Sequence, residues 1–249
     1  MGWAMVALAA LGLLVSSGPV VAYTFSVFFK PIQDEFAMSR GEASMGYTIC
    51  MIALAAAAPV AGRLIDRFGV KKILIAWMAA YSAALMGMGL VSSQWQYYIA
   101  FALLGVAGAG NGIVPFYKMV TNWFDQRRGF ALSVSMVGVG VGAMIIPPLA
   151  HHLISSFGWR GAYVALGMLS ALLIPIVWRW LLEGPDHQGH GSGSMATHAR
   201  ERSGLDVASA FGSMTFWIMG LAFFFFSFCL MGTFAHLVPM LGDMGITAG

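Results

Sequence analysis

The chain has 249 residues, of which 59% are hydrophobic and 9% charged, and its mean hydropathy is +0.79. That leaves too little polar surface to cover a water-soluble globule of this size, so the chain belongs in a bilayer. The net charge of +3 comes from Lys and Arg placed mostly between apolar stretches, which is a topology signal and excludes a nucleic-acid footprint.

A membrane-spanning helix needs roughly 20 mostly apolar residues. Seven such stretches are predicted, at about 4–28, 45–64, 73–92, 97–122, 130–150, 161–181 and 211–241. The opening MGWAMVALAA lacks the basic flank and cleavage site of a signal peptide and reads as a retained first span. Cys50 and Cys229 fall inside apolar stretches, so buried thiols are expected and a disulfide framework is not.

With the amino terminus on the cytoplasmic side, inner loops carry Arg63, Arg67, Lys71, Lys72, Arg127, Arg128, Arg179, Arg200 and Arg202. Outer loops carry Lys30, Arg40 and Arg160, so this orientation obeys the positive-inside rule.

Between the second and third stretches, residues 62–72 read GRLIDRFGVKK. The expected element is a short polar loop. Gly62 and Gly69 allow close approach and a tight turn, and Asp66 can accept hydrogen bonds from arginines or from a helix amino terminus. Arg67, Lys71 and Lys72 hold the loop at the cytoplasmic surface.

A shift of 89 residues lays PVAGRLIDRFGVKK (59–72) over PLAHHLISSFGWRG (148–161), matching Pro59 with Pro148, Phe68 with Phe157 and Gly69 with Gly158. Spans one to three therefore resemble spans four to six. Because three spans is an odd number, the second copy enters the membrane from the opposite side, an inverted repeat of the kind that encloses a midplane site.

The motif GRLIDRFGVKK resembles the loop between the second and third helices of major facilitator superfamily transporters. YTFSVFFKPIQDEFAMSRGEAS (23–44), GAGNGIVPFYKMVTNWFDQRRGFALSVSMVGVGVG (108–142), FGWRGAYVALG (157–167) and HLVPMLGDMGITAG (236–249) look like the monocarboxylate transporter and oxalate/formate antiporter group. The resemblance implies an all-α integral membrane fold of two six-helix halves that moves small organic anions by alternating access without a bound cofactor. On this reading residues 1–182 form the amino-terminal six-helix bundle, built from 3+3 inverted repeats. Residues 183–208 form a cytoplasmic linker, and 209–249 supply the seventh helix of an incomplete second half. The location implied is the plasma membrane, or the inner membrane in a bacterium. The resemblance also implies that the 62–72 motif stabilises the outward-facing state by bridging the two halves, with Arg127 and Arg128 as neighbours. In the family the basic residues that grip the substrate carboxylate lie largely in helices eight and eleven, beyond residue 249. Mammalian monocarboxylate carriers place a lysine in the first helix where alignment through VFFK puts Tyr23.

Several residues are candidates for the cavity. Lys118 is the one Lys or Arg well inside a span, and a charge at bilayer depth costs about 2.5–3.5 kcal/mol on insertion scales. It either faces a cavity or snorkels to the headgroups. At 100° per residue Asn111, Pro115, Lys118 and Asn122 fall on one narrow face of the fourth helix. His236 shares a face of the seventh span with Cys229, Gly232 and Asp243, and is either a proton-sensitive cavity residue or a helix-end residue bonded to a carbonyl. Tyr23 offers a hydroxyl to a carboxylate or anchors the helix at the interface. Gly138 with Gly142, and Ala53 with Ala57 and Ala61, are small-residue faces for helix packing.

Residues 183–204 are rich in Gly, Ser and His, and His187, His190 and His198 are too loosely spaced for a metal site, so a solvated linker is expected. No Asp or Glu lies deep in a span, and neither a His-Glu metalloprotease motif nor a nucleophile elbow is present, which excludes the common membrane-enzyme chemistries. The partners expected are a small carboxylate, the lipid bilayer and the missing carboxy-terminal half. The competing reading is a receptor, sensor or assembly partner that does not transport.

Overall fold

The structure, a computed structural model, describes residues 2–124, 127–181, 209 and 211–243, with residues 230–243 described by their backbone alone. The chain divides into two units, Met1–Gln188 and Gly189–Gly249. In the first, the helices are α1 (Gly2–Leu14), a π-helical turn (Gly18–Ala22), α2 (Phe25–Glu35), α3 (Arg40–Phe68) and α4 (Val70–Gly87) with a 3-10 turn (Met88–Leu90). They are followed by α5 (Gln94–Ala109), α6 (Ile113–Thr121) and α7 (Arg128–Trp180). In the second unit the described element is α8, Met214–Asp243. The predicted linker, 183–208, lies outside the described residues.

Among the described residues five helical stretches are long and apolar enough to cross a membrane, the last of them the 53 residues of α7. Gly158, at φ 71° and ψ 170°, breaks α7 into two helices. The first six predicted spans are thus accounted for, and α8 covers the seventh.

The predicted repeat has a conformational signature. Gly69 and its repeat mate Gly158 are the two glycines with positive φ among the described residues, at 87° and 71°. Their ψ values, 154° and 170°, place both in a region that is essentially reserved for glycine. Each is a one-residue connection between two long helices. The expected loop at 62–72 is therefore mostly helix: residues 62–68 are the end of α3, Gly69 is the turn, and Val70 opens α4. The helix continues because RLIDRF holds no glycine or proline, so nothing stops it before Gly69.

The first and fourth spans lie at the centre, 61% and 56% buried against 17–33% for the others. Glycines let the backbones approach. A Cβ on Gly138 would sit 2.0 Å from the Ala10 carbonyl oxygen, one on Gly142 2.5 Å from that of Leu14, and one on Gly105 2.2 Å from that of Cys50. The predicted Gly138/Gly142 face thus seats α1 directly on the backbone of α7, the close packing that drives helix association where lipid removes the hydrophobic force. Two apolar clusters fill the bundle end to end. One is built on Met5, Leu74, Phe116 and Val177, the other on Phe28, Tyr81, Phe101 and Tyr163. Of the two cysteines, Cys50 is buried as expected, whereas Cys229, expected to be buried too, is exposed on α8.

Candidate functional site: broken central helices and an ion pair

Spans one and four were expected as continuous helices and are not. In span one, α1 ends at Leu14 and a π-turn runs from Gly18 to Ala22 before α2 begins at Phe25. Pro19 has no N–H to give to the carbonyl four residues back. On either side of it side-chain hydroxyls bond back to the chain: Ser16 Oγ donates to the Leu13 carbonyl at 2.8 Å and Thr24 Oγ1 to that of Val20 at 2.5 Å. In span four, α5 ends at Ala109 and α6 starts at Ile113, with Gly110, Asn111 and Gly112 between them. Trp77 Nε1 donates to the Val106 carbonyl at 3.0 Å, and its ring covers Gly110 so closely that a Cβ there would lie 2.0 Å away. The 89-residue shift places Tyr23, at the first break, on Gly112, at the second. The two central helices are thus interrupted at equivalent points of the repeat, the pattern that points to a substrate site in transporters of this symmetry.

Asn111 is completely buried, and neither its amide nitrogen nor its amide oxygen has a hydrogen-bond partner among the described residues. Leaving such an amide unpaired costs about 1–3 kcal/mol. Across the break, the Ser17 hydroxyl lies 3.6 Å from where a Cβ on Gly108 would sit. Gly112 caps α6 without a side chain, so the first-turn N–H groups of this helix have no side-chain acceptor from the cap. Tyr23 sits at the first break, 42% exposed. The predicted polar stripe on the fourth helix is interrupted: Asn111 leaves the regular helix, Pro115 is buried, Lys118 is half-buried and Asn122 is exposed.

At the other end of α6, the two strongest sequence features meet. Lys118 Nζ donates to Asp66 Oδ1, joining the last turn of α6 to the last turn of α3 in an ion pair. Lys118 therefore neither hangs free in a cavity nor simply snorkels; it is held by the motif acid. Arg67 lies 5.2 Å over the neighbouring Phe68 ring, and Lys71 and Lys72 stand in the first turn of α4. Gly62 has open space around its Cβ position, so close approach does not explain it. Arg127 caps α7, and Arg128 Nε donates to the Phe124 carbonyl at 2.6 Å.

Sequence reasoning missed a second polar cluster at the opposite end. Glu35, ending α2, accepts from Trp159 Nε1 and Arg160 Nη1 beside the Gly158 turn. Arg160 also donates to the Val91 carbonyl through Nη2 at 2.6 Å. Burial pushes the Glu35 carboxyl up, but the hydrogen bonds from Trp159 and Arg160 and the guanidinium charge outweigh it and hold the group below the usual carboxylate range. Glu35 and Trp159 are 124 residues apart, and no local pattern pairs them. His236 lies in α8, with its side chain outside the described residues; His187, His190 and His198 lie outside them altogether. Among the described residues no cluster of His, Cys, Asp or Glu could hold a metal ion.

The Major Facilitator Superfamily model matches residues 2–249. The chain belongs to that superfamily. Its fold is accordingly the six-helix half built from inverted repeats, with one helix of a second half. This is a family of multi-pass membrane transporters. The chain is 28% identical to the oxalate:formate antiporter of Oxalobacter formigenes over 249 residues, 99% of this chain and 57% of that protein. It is 26% identical to monocarboxylate transporter 1 of Rattus norvegicus over 170 residues, 68% of this chain and 34% of that protein. An MFS-type transporter of Gibberella moniliformis is 26% identical over 246 residues, 96% of this chain and 52% of that protein. The chain spans between a third and somewhat over half of the length of these relatives.

Proposed function

We propose that this chain is part of a secondary carrier that moves small organic anions, monocarboxylates or dicarboxylates such as oxalate, by alternating access. The observation that carries the reading is the pair of helix breaks at repeat-equivalent positions in the two most enclosed spans. The breaks supply what an anion needs: the unpaired amide of Asn111, the first-turn N–H groups of α6 at its positive dipole end, and the Tyr23 hydroxyl at the equivalent break. Asn111 is covered in this conformation, so a carboxylate reaches it only when the break opens. Pro115 fixes the start of α6, and His236 is the contribution assigned to the seventh helix. The names of the relatives support a carboxylate substrate.

The gate is assigned to Asp66 and Lys118, with Arg67, Gly69, Lys71, Lys72, Arg127 and Arg128 around the same end. The amino terminus and these basic residues face the cytoplasm, and the membrane is the plasma membrane or its bacterial inner equivalent. Residues 1–182, 183–208 and 209–249 serve as bundle, linker and start of the second half.

The deciding experiment is uptake of labelled carboxylates by the full-length protein in liposomes, with and without a pH gradient. Saturable uptake is expected for at least one monocarboxylate or dicarboxylate; ligand binding without flux would sink the carrier reading and favour a sensor.

A further inference from the structure

Between α4 and α5, beside the Gly110 break, lies a groove of about 810 Å³. Its floor is small and apolar, with Ala76, Ala80, Ala83 and Gly87 on α4 facing Ile99 and Leu103 on α5. Trp77 also lines it. Along α4 the groove runs from Ala76 to Leu90, about 21 Å at 1.5 Å per residue, which is longer than the ~15 Å of one hydrocarbon leaflet. It therefore suits one acyl chain lying along the helix.

Charge adds a direction. Lys72 is exposed and lies one turn below Ala76 on the same face of α4, since positions 72, 76, 83, 87 and 90 fall within about 60° of one another. Among the described residues Lys72 has no ion pair, unlike Lys118. The other end of the groove is lined by Gln96 and Val91; the cation nearest to it, Arg160 on the Val91 carbonyl, is already paired with Glu35. A cation at one end of an apolar trough matches an anionic headgroup joined to a hydrocarbon tail.

We propose that this groove binds an anionic phospholipid, with the phosphate at Lys72 and one acyl chain along the alanine face of α4. The lipid would brace α4 against α5 beside the Gly110 break, so occupancy would bear on how far α6 can swing. That this is the cytoplasmic leaflet rests on the orientation proposed above; the site itself does not.

The test is native mass spectrometry of the full-length protein with phosphatidylglycerol and phosphatidylcholine of identical chains in equal amount. Wild type is expected to retain phosphatidylglycerol preferentially. Lys72→Gln is expected to lower that retention about fivefold, the weight of one basic side chain at a membrane surface, toward the phosphatidylcholine level. Lys72→Arg is expected to keep it. Ala80→Phe, which fills the trough, is expected to lower retention of both lipids, and Arg179→Gln of neither. Equal retention by wild type and Lys72→Gln, or an equal loss in Arg179→Gln, would overturn the proposal, as would undiminished binding in an Ala80→Phe protein that still melts cooperatively. Labelling of Lys72→Cys in oriented vesicles reports the leaflet separately, so an error in orientation is distinguishable from absence of the site.

Discussion

Asp66 and Lys118, 52 residues apart in the chain, are joined in an ion pair at the ends of α3 and α6. Their side chains are 67% and 36% exposed. A pair this accessible contributes at most about 1 kcal/mol, roughly a fivefold shift in an equilibrium. That is too little to decide folding and enough to tilt two conformations of similar energy. Asp66→Asn is therefore expected to lower transport by the full-length protein up to about fivefold while membrane insertion and melting temperature stay close to wild type. The charge swap Asp66→Lys with Lys118→Asp should recover part of the loss. Normal transport by Asp66→Asn would remove the gate.

Asn111 gives a test in which stability and function move apart. Replacing an unpaired buried amide by an apolar group of similar volume is neutral or stabilising. Asn111→Leu should melt at or above the wild-type temperature and yet lose carboxylate uptake. A variant that transports as well as wild type would show the amide to be a packing residue.

The glycines of α7 separate close packing from helix propensity. Gly138→Ala drives a methyl group into the Ala10 carbonyl and should destabilise by about 1–3 kcal/mol, the usual cost of overpacking. Gly140→Ala, with nothing within 4 Å of its Cβ position, should be neutral or gain up to about 1 kcal/mol from better helix propensity. Melting temperatures in detergent check both. Gly62→Ala belongs with Gly140→Ala, because Gly62 is helical with open space around it.

At the opposite end from the gate, Glu35 predicts a pH dependence. Its carboxyl is held below the ordinary value near 4.5, so its favourable contacts with Trp159 and Arg160 are fully present above that value. They are lost as pH falls through the lower folded-state value. The melting temperature of wild type should exceed that of Glu35→Gln at pH 7, and the difference should shrink as the pH drops below about 4. A difference unchanged by acid would show that the carboxylate charge contributes nothing.

Much of the architecture was legible because bilayer physics writes in long words. The spans, the repeat joining Gly69 to Gly158 and the glycine face at Gly138 and Gly142 all follow from hydropathy or spacing. The motif acid and the intramembrane lysine were each visible, but their pairing was not, since Asp66 and Lys118 meet only once α3 and α6 are packed. Nor were the breaks at Tyr23 and Gly112 anticipated: an apolar window passes over a single Pro or Gly, and the Trp77 indole that holds the Val106 carbonyl comes from tertiary contact, 29 residues away. The Glu35, Trp159 and Arg160 cluster escaped for the same reason.

The two single-glycine junctions leave almost no slack. Spans two and three, and likewise five and six, are tethered so tightly that neither member of a pair can slide past the other by a helical turn without breaking its hinge. Slack within the spans of this half is found at the interrupted first and fourth rods, and the tethered pairs are its stiff members.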